Sequence, residues 1–288
     1  MKGIENIGVE SLLNGLNPLN ERDWEIRMRN ILKLGRIETE RRRQSQEKLV
    51  EFISDGTIVL ALIEVVITDS QWQVRMAAAQ VLGLMEATFA VGVLGDAAKV
   101  ARIEDGEFSF EVRRTAIYAL GNIGGDDALK IISQLLGRER EEGGSESLRS
   151  VCVATLRPFG EEAYVELCRC ADPDFEKAPH IRKSAIMILG GITFTNSGNK
   201  THSLDRLCDS LKEPDVTIRN AAAYSLGEIG DTRAIGALES ALSAIHEHEG
   251  ETIRAALEKL RSRRDARSQA RSLPEFGEAP PERTRIGQ

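Results

Sequence analysis

The chain has 288 residues, 41% apolar and 29% charged, with 5% aromatic residues and 8 prolines, a foldable composition whose alanine and leucine content points to helices. The formal charge is −7, and seven arginines against four acids from Arg261 to Gln288 give that end +3, leaving −10 for residues 1–260. A body that acidic argues against gripping a nucleic-acid backbone, which takes clustered positive charge. No run of 18 apolar residues offers a membrane-spanning helix, and "MKGIENIGVESLLNGL" lacks the charged start and apolar core of a signal peptide, so a cytoplasmic protein without membrane partners is expected.

In chain order, "VESLLNGL" is a first apolar stretch, followed by "WEIRMRNILKLGRI" around Arg27. Residues 36–56 are charged on all sides, with Arg41, Arg42 and Arg43 flanked by Glu38, Glu40 and Glu47, and read as an extended or extra exposed helix with a solvated face. "TIVLALIEVVI" then precedes "WQVRMAAAQVLGLM" around Arg75, and "FEVRRTAIYALGNI" follows around Arg113. After "DDALKIISQLL" comes a polar insertion at 137–147, then "ESLRSVCVATLRPF" around Arg149, where Pro158 is expected to end the helix early. "PHIRKSAIMILGGI" around Arg182 leads to a second polar loop at 191–201. Leu204, Leu207, Cys208 and Leu211 share one helical face, as do Ile235, Leu238, Leu242 and Ile245, on either side of "VTIRNAAAYSLGEI" around Arg219. A weaker copy, "ETIRAALEKLRS", surrounds Arg254, and the apolar period stops near Leu260. Residues 1–262 are therefore expected to fold, with 263–288 a disordered tail.

The arginines are separated by 48, 38, 36, 33, 37 and 35 residues. A period near 36 is that of a two-helix solenoid, in which one pair cannot bury both its faces and gains stability by stacking. An aliphatic residue precedes every arginine, mostly small or aliphatic residues occupy positions +3 and +4 after it, and leucine stands at +7 in six copies, Leu34, Leu82, Leu120, Leu156, Leu189 and Leu226. At 100° per residue these positions share one face.

The pattern resembles HEAT repeats, in particular the short bacterial kind of phycobilin lyases with V-R-x-x-A-A-x-A-L-G-x-I-G. The copies at Arg75, Arg113, Arg182 and Arg219 match closely and those at Arg27 and Arg149 partly. The resemblance covers residues 8–262 and implies an all-α, right-handed α-solenoid of about seven helix pairs. It also implies an inter-repeat charge ladder, with acids six residues before the arginine at Glu21, Asp69, Glu107, Glu176 and Glu213, interrupted by Gly143 and His248. An exposed rung is worth about 0–1 kcal/mol, so the ladder is expected to set register more than stability. The glycine at +8 is expected to let helices pack closely.

Little in the chain points to catalysis. His246 and His248 lie two apart, on different sides of a helix, whereas metal-binding pairs need three or four. The HEAT-like deoxyhypusine hydroxylases place His-Glu pairs after the repeat arginine, and no such pair stands here. Cys152, Cys168 and Cys208 sit at apolar positions, Cys170 has no marked histidine partner, and no C-x-x-C or phosphate-loop motif occurs. No cofactor and no metal are expected. The remaining enzyme-class alternative is a phycobilin lyase or related bilin-handling factor, though the aromatic enrichment of those repeats is missing from "MAAAQVLG" and "NAAAYSLG". DNA glycosylases of this repeat type use a basic groove, which the acidic body disfavours.

Positions +1, +5 and +9 after the arginine lie opposite the packed face and, by the resemblance, line the concave surface. Met28 with Leu32, Met76 with Gln80, Arg114 with Tyr118, Lys183 with Met187 and Asn220 with Tyr224 mix methionine, leucine and tyrosine into a face that solvation alone would fill with Glu, Lys and Gln. Methionine and tyrosine suit adaptable contact surfaces. A non-catalytic scaffold binding another protein or peptide through this face is therefore expected.

Overall fold

A computed structural model describes residues 9–47, 56–100, 106, 108–138, 147–246 and 250–272. Among these, every regular element is a helix, and the helices pair as the repeat demands. Each arginine lies in the second helix of a pair: α1 (residues 9–14) with α2 (Trp24–Glu47), α3 (Gly56–Thr68) with α4 (Trp72–Leu84), and α5 (Val91–Lys99) with α6 (Ser109–Ile123). There follow α7 (Gly125–Arg138) with α8 (Leu148–Thr155), α9 (Tyr164–Cys170) with α10 (Pro179–Gly190), α11 (Ser197–Ser210) with α12 (Val216–Ile229), and α13 (Ile235–Ser243) with α14 (Glu251–Ser272). Each arginine helix packs on the next, from α2 through α14, to form one layer; α3, α5 and α7 form part of a second layer against it. The chain is an all-α solenoid of seven stacked pairs.

The sequence pattern explains the core. Leu34, Leu82, Leu120, Leu156, Leu189 and Leu226 are all fully buried between adjacent pairs, each worth about 1.5–3 kcal/mol of apolar burial. Ala78, Ala116, Ala185 and Ala222 are equally buried and keep the neighbouring backbones close. The +8 glycines sit at the closest approach: a Cβ on Gly83 would lie 2.7 Å from Ala119 Cα, and one on Gly190 2.7 Å from Ser225 Cα. Helix α12 begins at Asp215, whose carboxylate accepts from Thr217 N at 2.7 Å, and ends at Gly230 in the left-handed conformation (φ 69°), a combination that satisfies orphan groups at both ends.

The ladder differs from its sequence reading in one respect, because its rungs are buried. Arg27 Nε and Nη2 reach the Asp69 carboxylate at 2.8 and 3.0 Å, Arg149 Nε reaches Glu176 at 2.8 Å, and Arg182 Nη2 reaches Glu213 at 2.8 Å. Arg27, Arg149 and Arg182 thus each bind the acid that opens the next arginine helix, and Nη1 donates to a carbonyl six residues back in four copies, Arg27 to Glu21, Arg75 to Asp69, Arg182 to Glu176 and Arg219 to Glu213, whereas Arg149 Nη1 donates to the Leu136 carbonyl. The same acids also hold their helix starts, Asp69 accepting from Gln71 N and Glu176 from Ala178 N, both at 2.9 Å. Arg27 and Asp69 retain only 3% and 1% of their exposure. The low expected value per rung applied to exposed pairs; these pairs are enclosed by both helix layers, and the cost of breaking them rises accordingly. Glu107, Gly143 and His248 lie outside the described residues.

Three other expectations are met or corrected here. The charged segment after Ile37 continues α2 to Glu47, while residues 48–55 lie outside the described set, as do residues 139–146 of the 137–147 insertion. Helix α8 stops at Thr155 and a 3₁₀ segment, Arg157–Ala163, carries Pro158 at its start. Residues 263–272, expected to open the disordered tail, are helical instead, because α14 runs to Ser272. Its alanines, arginines and glutamine are good helix formers, so helix outlasts the apolar period, and the Arg263 side chain lies directly over Gly230 at the end of α12. Residues 273–288 lie outside the described set.

The loop at 191–201 is shorter than its polarity suggests, since α11 starts at Ser197, capped by Asn196. One side chain anchors it: Glu161 accepts from Thr195 N and Oγ1, Asn196 N and Asn199 Nδ2 at 2.6–3.0 Å. The Thr195 side-chain bond, reinforced by the other donors, holds the Glu161 carboxyl down to about 2 from its ordinary 4.5. A depressed carboxyl contributes stability that is complete above the unfolded value and is lost as pH falls through the folded one. Protection factors of the Thr195 and Asn196 amides, taken relative to the intrinsic exchange rate at each pH, are therefore expected to fall between about pH 5 and pH 2, and Glu161→Gln should remove that pH dependence.

Candidate interaction face

By helical spacing, positions +1, +5 and +9 share one side of each arginine helix. Position +5 is exposed in each of the first six repeats: Leu32, Gln80, Tyr118, Ala154, Met187 and Tyr224. Position +1 sits deeper. Met28, Met76, Arg114 and Asn220 are half-buried against neighbouring helices, and only Lys183 is exposed. The face is therefore a ridge of +5 side chains flanked by partly sheltered +1 side chains. Arg114 is tied to Glu111 on the same helix by a salt bridge.

Sequence reasoning missed one further row, at −3, and named another, +9, without its residues. Position −3 precedes +1 by four residues and so lies on the same face; it carries Trp24, Trp72, Phe110 and Val216. Trp72 stacks on Phe108 with ring centroids 4.6 Å apart and planes 8° from parallel, a geometry that favours flat apolar contact. At +9, Leu84 is 54% exposed and extends the ridge at the other end of α4. The i, i+4, i+8 spacing of Trp72, Met76 and Gln80 was available as a signal.

Polar groups punctuate this surface. Glu228 is neutralised by Lys259 at 2.8 Å. Gln73 Oε1 and His180 Nε2, both at position −2, are shielded from solvent and have no hydrogen-bond partner among the described residues.

No constellation for covalent chemistry forms among the described residues. Cys152, Cys168 and Cys170 are buried thiols outside any disulfide, and Cys208 is partly buried. Burial pushes the Cys170 thiol up to about 12 and raises Cys168 and Cys208, the reverse of an activated nucleophile. Cys208 borders a cleft of about 480 Å³ between α11 and α13, lined by Leu211, Ala237, Ala241 and Ile245 together with the charged Lys212, Glu213 and Arg219. His246 is exposed and His248 lies outside the described residues. No group of three metal-ligating side chains occurs among the described residues, and none of their helices is long and apolar enough to cross a membrane.

A family model described as HEAT repeats matches residues 59–149 and 176–261, more than half of the chain. No curated protein matches. Among solved structures, the CpcE–CpcF complex of phycocyanin lyase from Nostoc sp. PCC7120 is similar at 16% identity over 88% of this chain and 94% of that one, with a TM-score of 0.46. Human deoxyhypusine hydroxylase in complex with glycerol is similar at 16% identity over 83% and 81%, with a TM-score of 0.37. A designed armadillo repeat protein in complex with the peptide (KR)4 is similar at 16% identity over 87% and 98%, with a TM-score of 0.37.

Proposed function

The chain belongs to the HEAT-repeat family, and from that premise we propose that it is a non-catalytic scaffold that docks a partner protein or peptide along the outward face of its arginine-helix layer. One observation carries the reading. Leu32, Tyr118, Met187 and Tyr224 occupy the same repeat position in four different helices and are 36–49% exposed. Solvation gives no reason for large apolar groups to recur there, and exposed apolar groups that recur along one face suit an interaction site. Tyrosine and methionine supply broad contact with little loss of adaptability. By its likeness to HEAT arrays this is the concave side, and cytoplasmic residence fits the reduced cysteines such a scaffold would carry. A bilin-handling role has no comparable observation in its favour.

The test is site-specific photocrosslinking in the native host, with a benzophenone residue at 118 or 187, and a control at Leu60, which is 67% exposed on α3 in the second layer. The expected result is one protein crosslinked from 118 and 187 but not from 60. Its affinity should fall at least tenfold, about 1.4 kcal/mol, for the combined Met76→Glu, Tyr118→Ser, Met187→Glu and Tyr224→Ser variant, with helicity and melting unchanged. Crosslinks from 60 alone, or undiminished affinity in the variant, would remove this face from consideration.

A further inference from the structure

The stacked pairs are not joined with equal tightness. A Cβ placed on Gly35, Gly83, Gly121, Gly190 or Gly227 would come within 3.4 Å of the next arginine helix, so five of the six junctions press those helices together near their ends. The exception is the junction between the fourth and fifth pairs. There α8 has 8 residues against 15 in α6 and 12 in α10, and its +8 position, Arg157, falls beyond its end. The chain runs on as the 3₁₀ segment Arg157–Ala163, which holds Pro158 and, at a φ of 55°, Gly160. A short 3₁₀ stretch with a permissive glycine is a place where backbone can absorb rotation. In the second layer α3 packs on α5 and α5 on α7, whereas the 3₁₀ segment is what touches both α7 and α9. A cleft also parts α11 from α13, but at that junction Gly227 meets Ala256 and Arg263 covers Gly230.

Polar ties span this junction at both edges, and they differ in depth. At the helix starts, Arg149 Nε donates to Glu176 at 2.8 Å, its Nη1 donates to the Leu136 carbonyl near the end of α7, and its guanidinium lies 5.6 Å from the Phe175 ring centroid. Arg149 and Glu176 are buried, so this tie is costly to break. At the helix ends, Glu161 of the 3₁₀ segment accepts from Thr195 and Asn196, beyond the end of α10, in exposed hydrogen bonds that water can replace.

We infer that the solenoid bends at this one junction, with the buried Arg149–Glu176 bridge as pivot, Gly160 as joint and Glu161 as the latch that keeps the helix ends together. With helices about 9 Å apart, a rotation of about 15° around the pivot would part the +9 positions of α4 and α12 by about 3 Å, while the helix starts do not part. Leu32 and Tyr118 lie on one side of the joint, Met187 and Tyr224 on the other. The consequence, which rests on the docking role above, is that release of the latch changes the angle between the two halves of the docking face. One scaffold then fits partners of different breadth.

The test is double electron–electron resonance on the full chain without any partner, with spin labels carried on p-acetylphenylalanine so that the cysteines stay untouched. Leu84 and Glu228 report the helix ends across the junction, Ser70 and Val216 the helix starts, and Arg36 and Asn122 the helix ends within the first three pairs; all of these positions are exposed. The expected result is that Glu161→Ala lengthens the 84/228 distance by about 3 Å and broadens its distribution, while 36/122 stays unchanged and 70/216 does not lengthen. Asp215→Ala, which removes an exposed carboxylate cap at the start of α12, should leave 84/228 as in the wild type. An 84/228 distribution as narrow as 36/122 in both the wild type and Glu161→Ala would mean a rigid stack and overturn the joint. Equal broadening of 84/228 and 36/122 would spread the bending over the whole stack and overturn it as well. A broad 84/228 distribution that Glu161→Ala leaves unchanged would overturn Glu161 as the latch. Because no partner is present, each of these outcomes leaves the docking role to its own crosslinking test.

Discussion

Asp69→Ala is expected to destabilise the junction between the first two repeats by about 3–5 kcal/mol, the cost of leaving a buried charge without its partner. Asp69 accepts both Nε and Nη2 of Arg27 and also the Gln71 amide, so one substitution removes an ion pair and a helix start together. Arg27 would remain enclosed at 3% exposure with only the Glu21 and Arg22 carbonyls to satisfy it. Because each repeat of a solenoid is coupled mainly to its neighbours, the loss should be local. Hydrogen-exchange protection in α2 should fall by two to three orders of magnitude, at about 1.4 kcal/mol per factor of ten, while α10 and α12 keep theirs. The double replacement Arg27→Met/Asp69→Leu should recover most of the stability, since apolar groups of similar volume can replace a buried pair at little cost. A loss below about 1 kcal/mol in Asp69→Ala would mean the rung behaves like an exposed pair.

That rung also shows where the sequence stops being informative. The arginine and the acid six residues before the next one are visible as letters at a fixed spacing, and so is the burial of Leu34 through Leu226, because periodicity reports directly which helix face packs. Spacing does not report depth. Whether Arg27 and Asp69 lie on the surface or beneath it depends on how far the helix starts of consecutive repeats overlap, a property of two pairs stacked together. The interaction face divides in the same way. Positions +1 and +5 were found from one helix considered alone, but the half-burial of Met28 and Met76 is not written in that helix's period. The Trp72–Phe108 stack joins residues across the start of two successive arginine helices, and no single-helix period contains it. The helical continuation to Ser272 was missed because the loss of apolar period was read as loss of helix, whereas alanine and arginine sustain a helix with nothing to bury.

The largest effect expected from adding a single methyl group is at the +8 glycines, and its size should follow distance rather than motif. In Gly190→Ala the new Cβ would stand 2.5 Å from Ser225 Cβ and Oγ and 2.7 Å from Ser225 Cα, so the α10 and α12 backbones have to part. In Gly83→Ala it would stand 2.7 Å from Ala119 Cα, with the same consequence for α4 and α6. Forcing a well-packed interface apart costs about 1–3 kcal/mol, and the two sites lie in different junctions, so the costs should add. Gly227 occupies the identical motif position, yet its nearest contact across the junction is Ala256 at 3.4 Å, and Gly227→Ala should be close to neutral. Gly236, inside α13, has nothing within 4 Å, so alanine there should stabilise by about 0.5–1 kcal/mol through helix propensity alone. Urea unfolding of the four single variants therefore separates two explanations of the repeat glycine. If it ended helices, the three motif variants would lose similar amounts. If it sets how closely arginine helices approach, Gly190→Ala and Gly83→Ala lose stability, Gly227→Ala does not, and the glycine missing from the fourth repeat has a cause: α8 ends at Thr155, before the position where the close approach would occur.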